Sequence, residues 1–163
     1  MIESEPAPLI VMVGLPGSGK STWAQRFIAR RSGYCVVATD DIRAQLYGSA
    51  AVQGEWLEIW RVVLRQLCDR YHDISTGEAT GVIYDATNVR RRHRREFIQS
   101  ARACGYAPVV AVWIDTPLVA CLERNLGRSR RVPTEVIEKM HRQLTAAPPT
   151  TAEALDHVYR IAM

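Results

Sequence analysis

The stretch that most constrains this chain is LIVMVGLPGSGKSTW, residues 9–23, where five apolar residues run straight into a glycine-rich loop and then a helical pattern. Gly14-x-x-x-x-Gly19-Lys20-Ser21 satisfies the whole P-loop pattern, with a strand expected before it and a helix after it. The glycines let the backbone fold tightly enough for its N–H groups, with the helix N-terminus behind them, to surround a phosphate. Lys20 reaches the outer phosphate oxygens in such a loop, and Ser21 offers a hydroxyl to Mg²⁺. The expected phosphate-binding set is Gly14, Gly17, Ser18, Gly19, Lys20, Ser21 and Thr22. An incidental glycine turn ahead of a helix is the alternative, and it leaves the lysine, the hydroxyl and the strand-to-helix context unexplained.

Further strand-like runs follow at 34–39, 81–86, 108–115 and 157–162, alternating with helical stretches at 20–31, about 53–76, 90–105, 117–127 and 133–144. This alternation predicts an α/β fold, a parallel five-stranded sheet with helices on both faces, and active residues at the carboxyl ends of the strands. In 163 residues with 47% apolar content, no repeat, low-complexity tract or long linker divides the chain, so one domain is expected, with residues 1–7 a flexible N-terminal segment. Cys35, Cys68, Cys104 and Cys121 show no zinc spacing, and each sits in an apolar or helical context, so reduced core cysteines in a cytoplasmic protein are expected. The opening MIESEPAP carries acids where a signal peptide carries positive charge, and no apolar run reaches membrane-spanning length.

The second strand runs into ATDDIR. A carboxylate there, beside a bound triphosphate, can take a proton from an attacking hydroxyl or hold a metal, and an Asp there can equally cap the next helix. Two adjacent acids, Asp40 and Asp41, allow both. Arg43 either turns back towards an acceptor phosphate or is solvated. The third strand ends in GVIYDATN, which leaves Asp85 near Mg²⁺ or capping the helix that starts near Arg90, with Thr87 and Asn88 weighted to structural roles. Trp23 and Phe27, four apart, read as core residues.

The net charge of +4 is carried almost entirely by arginine, since Lys20 and Lys139 are the only lysines. Arginine suits bidentate phosphate contacts, although codon bias produces the same skew. RNLGRSRRVP places Arg124, Arg128, Arg130 and Arg131 around Gly127 as a lid over ATP or a solvated basic loop. RRRHRR, residues 90–95, is a nucleic-acid phosphate track or a solvated face, and its five arginines cannot all face one groove. His93 within it reads as exposed rather than catalytic.

GLPGSGKSTWA, TDDIR, DATNV and CLERNLGRSRRVPTEVIEKM, in this order and at these separations, resemble the P-loop polynucleotide kinase family, including the bacteriophage 5′-kinase domain and the bacterial end-healing kinase domains. The resemblance runs from about Leu9 to Leu144, and a broad group of P-loop phosphotransferases shares it. It implies a single P-loop kinase domain with an arginine-bearing lid, acting as an ATP- and Mg²⁺-dependent phosphotransferase on the 5′-OH of a nucleic acid or nucleotide. It implies Lys20 and Ser21 on the ATP phosphates and Mg²⁺, Asp40 as general base, and Arg43 on the phosphate at the acceptor's reacting end. Arg128 would be the lid arginine, assisted by Arg130 or Arg131, with Arg124 against the adenine and Ser21 and Asp85 at the metal. Ala86 separates Asp85 from Thr87, as in the bacterial domains and unlike the bacteriophage enzyme. The length leaves no room for a phosphatase or ligase domain, so only the 5′ half of end healing is expected. A small-molecule kinase on the same scaffold, and an ATP-binding module with little turnover, are the competing readings.

Overall fold

A computed structural model of the chain describes residues 6–163. Five strands, β1 (Leu9–Val13), β2 (Tyr34–Ala38), β3 (Gly81–Asp85), β4 (Val109–Asp115) and β5 (His157–Ala162), form one sheet in the order β2-β3-β1-β4-β5, and every pairing is parallel. The crossovers are α1 (Lys20–Arg30), α2 (Thr39–Tyr47), α3 (Trp56–Ser75), α4 (Arg91–Cys104), α5 (Leu118–Leu126) and α6 (Thr134–Ala146).

Central β1 is buried at all five positions, as an unbroken apolar run in a doubly covered sheet must be. Its alternate residues feed two cores. Leu9, Val11 and Val13 join Val82, Tyr84, Ile59, Ile98 and Ile137 on the face covered by α3, α4 and α6. Ile10 and Met12 join Ile83, Val112 and Ala24 on the face covered by α1, where Trp23 and Phe27 stack 5.2 Å apart, half-buried against that core.

Three expectations change. Ala7 is buried and exchanges hydrogen bonds with Ala107, so the flexible N-terminal segment does not extend to it; Pro6 is exposed, and residues 1–5 of that expectation lie outside the described residues. Of the cysteines only Cys121 is buried; Cys68 is exposed on α3, with its Sγ 3.1 Å from that of half-buried Cys104, because the two lie where α3 passes the end of α4. The arginine run divides around the helix. Arg94 falls on the buried stripe of α4 with Phe97, Ile98 and Ala101, while Arg91, Arg92 and Arg95 are exposed.

Candidate active site

The carboxyl ends of β1, β2 and β3 open into one cleft of about 1160 Å³, closed on its far side by the α5–α6 connection. Gly17 (φ 80°) and Gly19 (φ 102°) hold left-handed backbone that a side chain would strain, and a Cβ on Gly17 would come within 2.7 Å of the Cys121 carbonyl. The loop is braced from outside. Gly14 N–H donates to the Thr87 carbonyl (3.0 Å), and the Thr116 hydroxyl donates to the Ser18 carbonyl (2.8 Å).

Lys20 is buried, and its Nζ donates to the Leu15 carbonyl at 3.0 Å, which arches the ammonium back over the loop with donors to spare. Burial pushes its pKa down, the nearby Asp85 carboxylate opposes that, and Arg128 pushes with it. A buried cation beside a second one is the charge distribution that a polyphosphate relieves. Ser18 Oγ is buried in the same loop without a hydrogen-bond partner among the described residues. Ser21 Oγ donates to Asp85 Oδ2 at 2.7 Å. These two oxygens are the kind of donor pair that Mg²⁺ uses alongside phosphate oxygens and water, so the loop fits ATP·Mg²⁺. Asp85 is therefore not a helix cap: Arg90 holds the N-cap position of α4, and no side chain caps it. Asn88 is structural, its Nδ2 donating to the Met12 carbonyl at 2.7 Å from a left-handed backbone (φ 49°).

Neither Asp40 nor Asp41 caps α2. The helix begins at Thr39 after Ala38, with no side-chain cap, so both acids lie in its first turn, where the helix dipole favours negative charge. Thr39 and Ile42 are buried, which turns Asp40 and Arg43, three apart, to the same side of the helix. Arg43 Nη1 donates to Asp40 Oδ1 at 3.0 Å, and the same oxygen accepts from Arg130 of the lid. Asp40 is thus held between two guanidiniums, one from each wall of the cleft.

Arg124 lies over the loop, its Nη1 donating to the Gly17 (3.3 Å) and Ser18 (3.4 Å) carbonyls, and Arg128 and Arg130 line the cleft. Arg131, expected among the ATP-binding residues, is exposed and does not line the cleft; neighbouring side chains of an irregular segment diverge, and Arg130 takes the inward side. The expected exposure of His93 also changes: it is half-buried against Trp56 and lines the cleft. Trp56 and Trp60 of α3, the helix packed against α2, line it too, as does Arg90 at the start of α4. Arg90 belongs to the run weighed as a phosphate track; the sequence does not single out the two tryptophans, since apolar residues four apart in a helical stretch carry the same pattern as a core face.

The AAA domain family model matches residues 9–147. The L-seryl-tRNA(Sec) kinase of Methanococcus maripaludis is 28% identical over 152 residues, covering 91% of this chain and 56% of that protein. A chain in the structure of the Pnkp1/Rnl/Hen1 RNA repair complex superposes with a TM-score of 0.74 at 26% identity, covering 95% of this chain and 48% of its own. This chain thus spans about half the length of those two. The Deinococcus radiodurans tunicamycin resistance protein (TM-score 0.59, 19% identity, 94% of this chain and 86% of its own) shares the fold. No helix among the described residues is long and apolar enough to cross a membrane.

Proposed function

The chain belongs to the AAA domain family, as a P-loop kinase-like domain, and from that premise we propose that it transfers the γ-phosphoryl group of ATP to a hydroxyl of a nucleic-acid-type acceptor, with Asp40 as general base. The observation that carries this reading is Asp40 itself, a carboxylate held by Arg43 and Arg130 in the same cleft as Lys20 and Ser21. That pairing of base and phosphate loop is what in-line transfer to a hydroxyl requires. A seryl-tRNA kinase and an RNA repair complex among the similar proteins support a nucleic-acid-linked acceptor over a free metabolite.

Lys20 and the loop N–H groups would hold the phosphates, and Ser21 and Asp85 would hold Mg²⁺. When bound, ATP·Mg²⁺ supplies the electrophilic phosphoryl group and neutralises part of its own charge. Asp40 accepts the acceptor's hydroxyl proton as the oxygen attacks. Arg43 turns towards a phosphate on the acceptor. Arg128 and Arg130, from the lid, add positive charge where negative charge gathers, an effect that grows as the closing lid excludes water. Arg124, which lies over the loop, would hold the adenine of ATP.

Labelled γ-phosphate transfer to a panel of 5′-OH oligonucleotides, nucleoside 3′-monophosphates, seryl-tRNA, sugars and amino alcohols tests the acceptor. Asp40→Asn is expected to lower kcat by about 10²- to 10⁴-fold and leave ATP binding nearly intact. An unchanged kcat removes Asp40 as base, and transfer confined to sugars and amino alcohols removes the nucleic-acid reading.

A further inference from the structure

Tyr84, Trp60, Trp56 and His93 line the same cleft as Asp40 and form an aromatic wall that the transfer chemistry does not use. Tyr84 of β3 stacks on Phe97 of α4 (centroids 3.9 Å apart, planes 12° apart), Phe97 meets Trp60 of α3 edge-on (6.3 Å), and Trp60 lies 5.9 Å from Trp56 at 25°. Trp56 in turn lies 5.6 Å from the His93 ring, nearly parallel at 12°. The series begins in the core, where Tyr84 and Phe97 are each 1% exposed, and ends at the cleft, where Trp56 is 39% exposed.

Its outer end is fixed to the site. Arg43, which holds Asp40, also donates through Nε to the Gln53 carbonyl (3.4 Å), three residues before Trp56. The Tyr47 hydroxyl accepts from Glu55 N–H (3.0 Å) and donates to Glu58 (2.6 Å), which ties the end of α2 to the start of α3. Trp56 therefore sits on the same rigid unit as Asp40 and Arg43. Its indole stays partly uncovered although a residue of that size is ordinarily stabilised by burial. His93 is kept towards its neutral form by burial and by the positive charge of Arg90, so the shelf's surface is ring rather than cation. Arg90, one helical turn before His93, supplies the cation at the edge.

We propose that Trp56 and His93 form a stacking shelf for the nucleobase next to the reacting hydroxyl, with Arg90 taking an adjacent backbone phosphate. The inference rests on the nucleic-acid acceptor proposed above and narrows it: the acceptor is recognised by a flat ring as well as by phosphate. Stacking accepts any base, so the shelf selects nucleotides and polynucleotides over sugars and amino alcohols without demanding one sequence.

The test compares two 5′-OH hexanucleotides, one intact and one with an abasic sugar at its 5′ end. Trp56→Ala is expected to raise KM for the intact acceptor roughly tenfold to a hundredfold with KM for ATP unmoved, Trp56→Phe to restore most of it, and Arg90→Gln to raise KM for both acceptors. On the abasic acceptor Trp56→Ala is expected to have no further effect. Equal losses on both acceptors, or an equal loss in KM for ATP, overturn the shelf, since a merely structural role gives that result. Transfer by the native protein to oligonucleotides with Trp56→Ala silent overturns the shelf and leaves the acceptor reading standing. Transfer to sugars or amino alcohols alone overturns both. Binding is read without turnover in a variant in which Phe replaces Trp23, Trp60 and Trp113. The intact hexanucleotide is expected to quench the remaining Trp56 fluorescence, and an absence of quenching overturns the proposal.

Discussion

Arg94 shows how one residue can escape its own surroundings in a sequence. It is one of five arginines in six positions, yet it is fully buried, its Nε and Nη2 forming a fork with Glu153 (2.8 and 2.7 Å) and its remaining donors reaching the Asn88, Val89 and Ala147 carbonyls. The helical spacing to Phe97 and Ala101 places it on the core stripe, but its partner lies 59 residues away, and nothing local separates it from its solvated neighbours. Arg94→Met would leave the Glu153 carboxylate buried with Arg91, at 3.4 Å, as its one remaining cation among the described residues. The expected cost is about 3 kcal/mol, at the low end of what breaking a buried pair costs because Arg91 remains. Urea denaturation checks this, and Arg94→Met with Glu153→Leu is expected to recover much of the loss, since a matched apolar pair leaves no charge buried. Trp56 was hidden by the opposite ambiguity: it is an apolar residue at helical spacing from core-packed Trp60, yet it does not itself finish in the core.

Among the elements, the lid is held by side-chain hydrogen bonds at its base and its tip. Its base is pinched by Asn125, whose Nδ2 donates to the Val132 carbonyl (2.8 Å) while its Oδ1 accepts from Val132 N–H (3.0 Å). Its tip is held by Arg130 on Asp40. The arginine-rich connection between α5 and α6 is thereby clasped at its base and tethered by charge at its tip. Asn125→Ala removes the clasp and leaves two backbone groups short of partners, so the lid should open locally while the core stays folded. The expected outcome is faster trypsin cleavage after Arg128, Arg130 and Arg131 at an almost unchanged Tm, with ATP·Mg²⁺ protecting the native lid better than the variant's. Equal cleavage rates would show that the clasp does not hold the lid. The segment itself was legible, because Gly127 and Pro133 bracket it between helical patterns; which arginine turns inward was not, because Asp40 selects it from 90 residues away. α2 is a similar case. Its acids pointed to a site, but the start at Thr39 depends on how Thr39 and Ile42 pack, and local sequence offers Asp as a cap just as readily.

Across the whole molecule, the strands fall within a residue or so of where apolar runs put them, and their parallel arrangement follows from the helices between them. The order β2-β3-β1-β4-β5 is set by long-range pairing; the strand–helix alternation places a site at the carboxyl ends of the strands, and the resemblance supplies which residues would meet there. That cleft gathers Lys20 and Ser21 after β1, Asp40 after β2, Asp85 at the end of β3 and Arg128 from the lid, segments that share little chain but would share one ligand. A ligand that bridges them binds the folded chain alone, so at a hundredfold excess over Kd it stabilises by about 2.7 kcal/mol. For a domain of this size that corresponds to a rise in Tm of roughly 5–10 °C. Lys20→Met separates the two sides of this balance. Without ligand the ammonium is buried at a cost, which is why its pKa is pushed down, and stability should rise with pH between that lowered value and 10.5, where the unfolded chain binds the extra proton. Methionine removes both the cost and the slope. The variant is therefore expected to melt no lower than the native protein when free, to lose that pH dependence, and to show almost none of the ATP·Mg²⁺ shift, all read by thermal melts with and without nucleotide. A free variant that melts several degrees lower would mean that Lys20 holds the loop together through Leu15 rather than waiting, at a cost, for a phosphate.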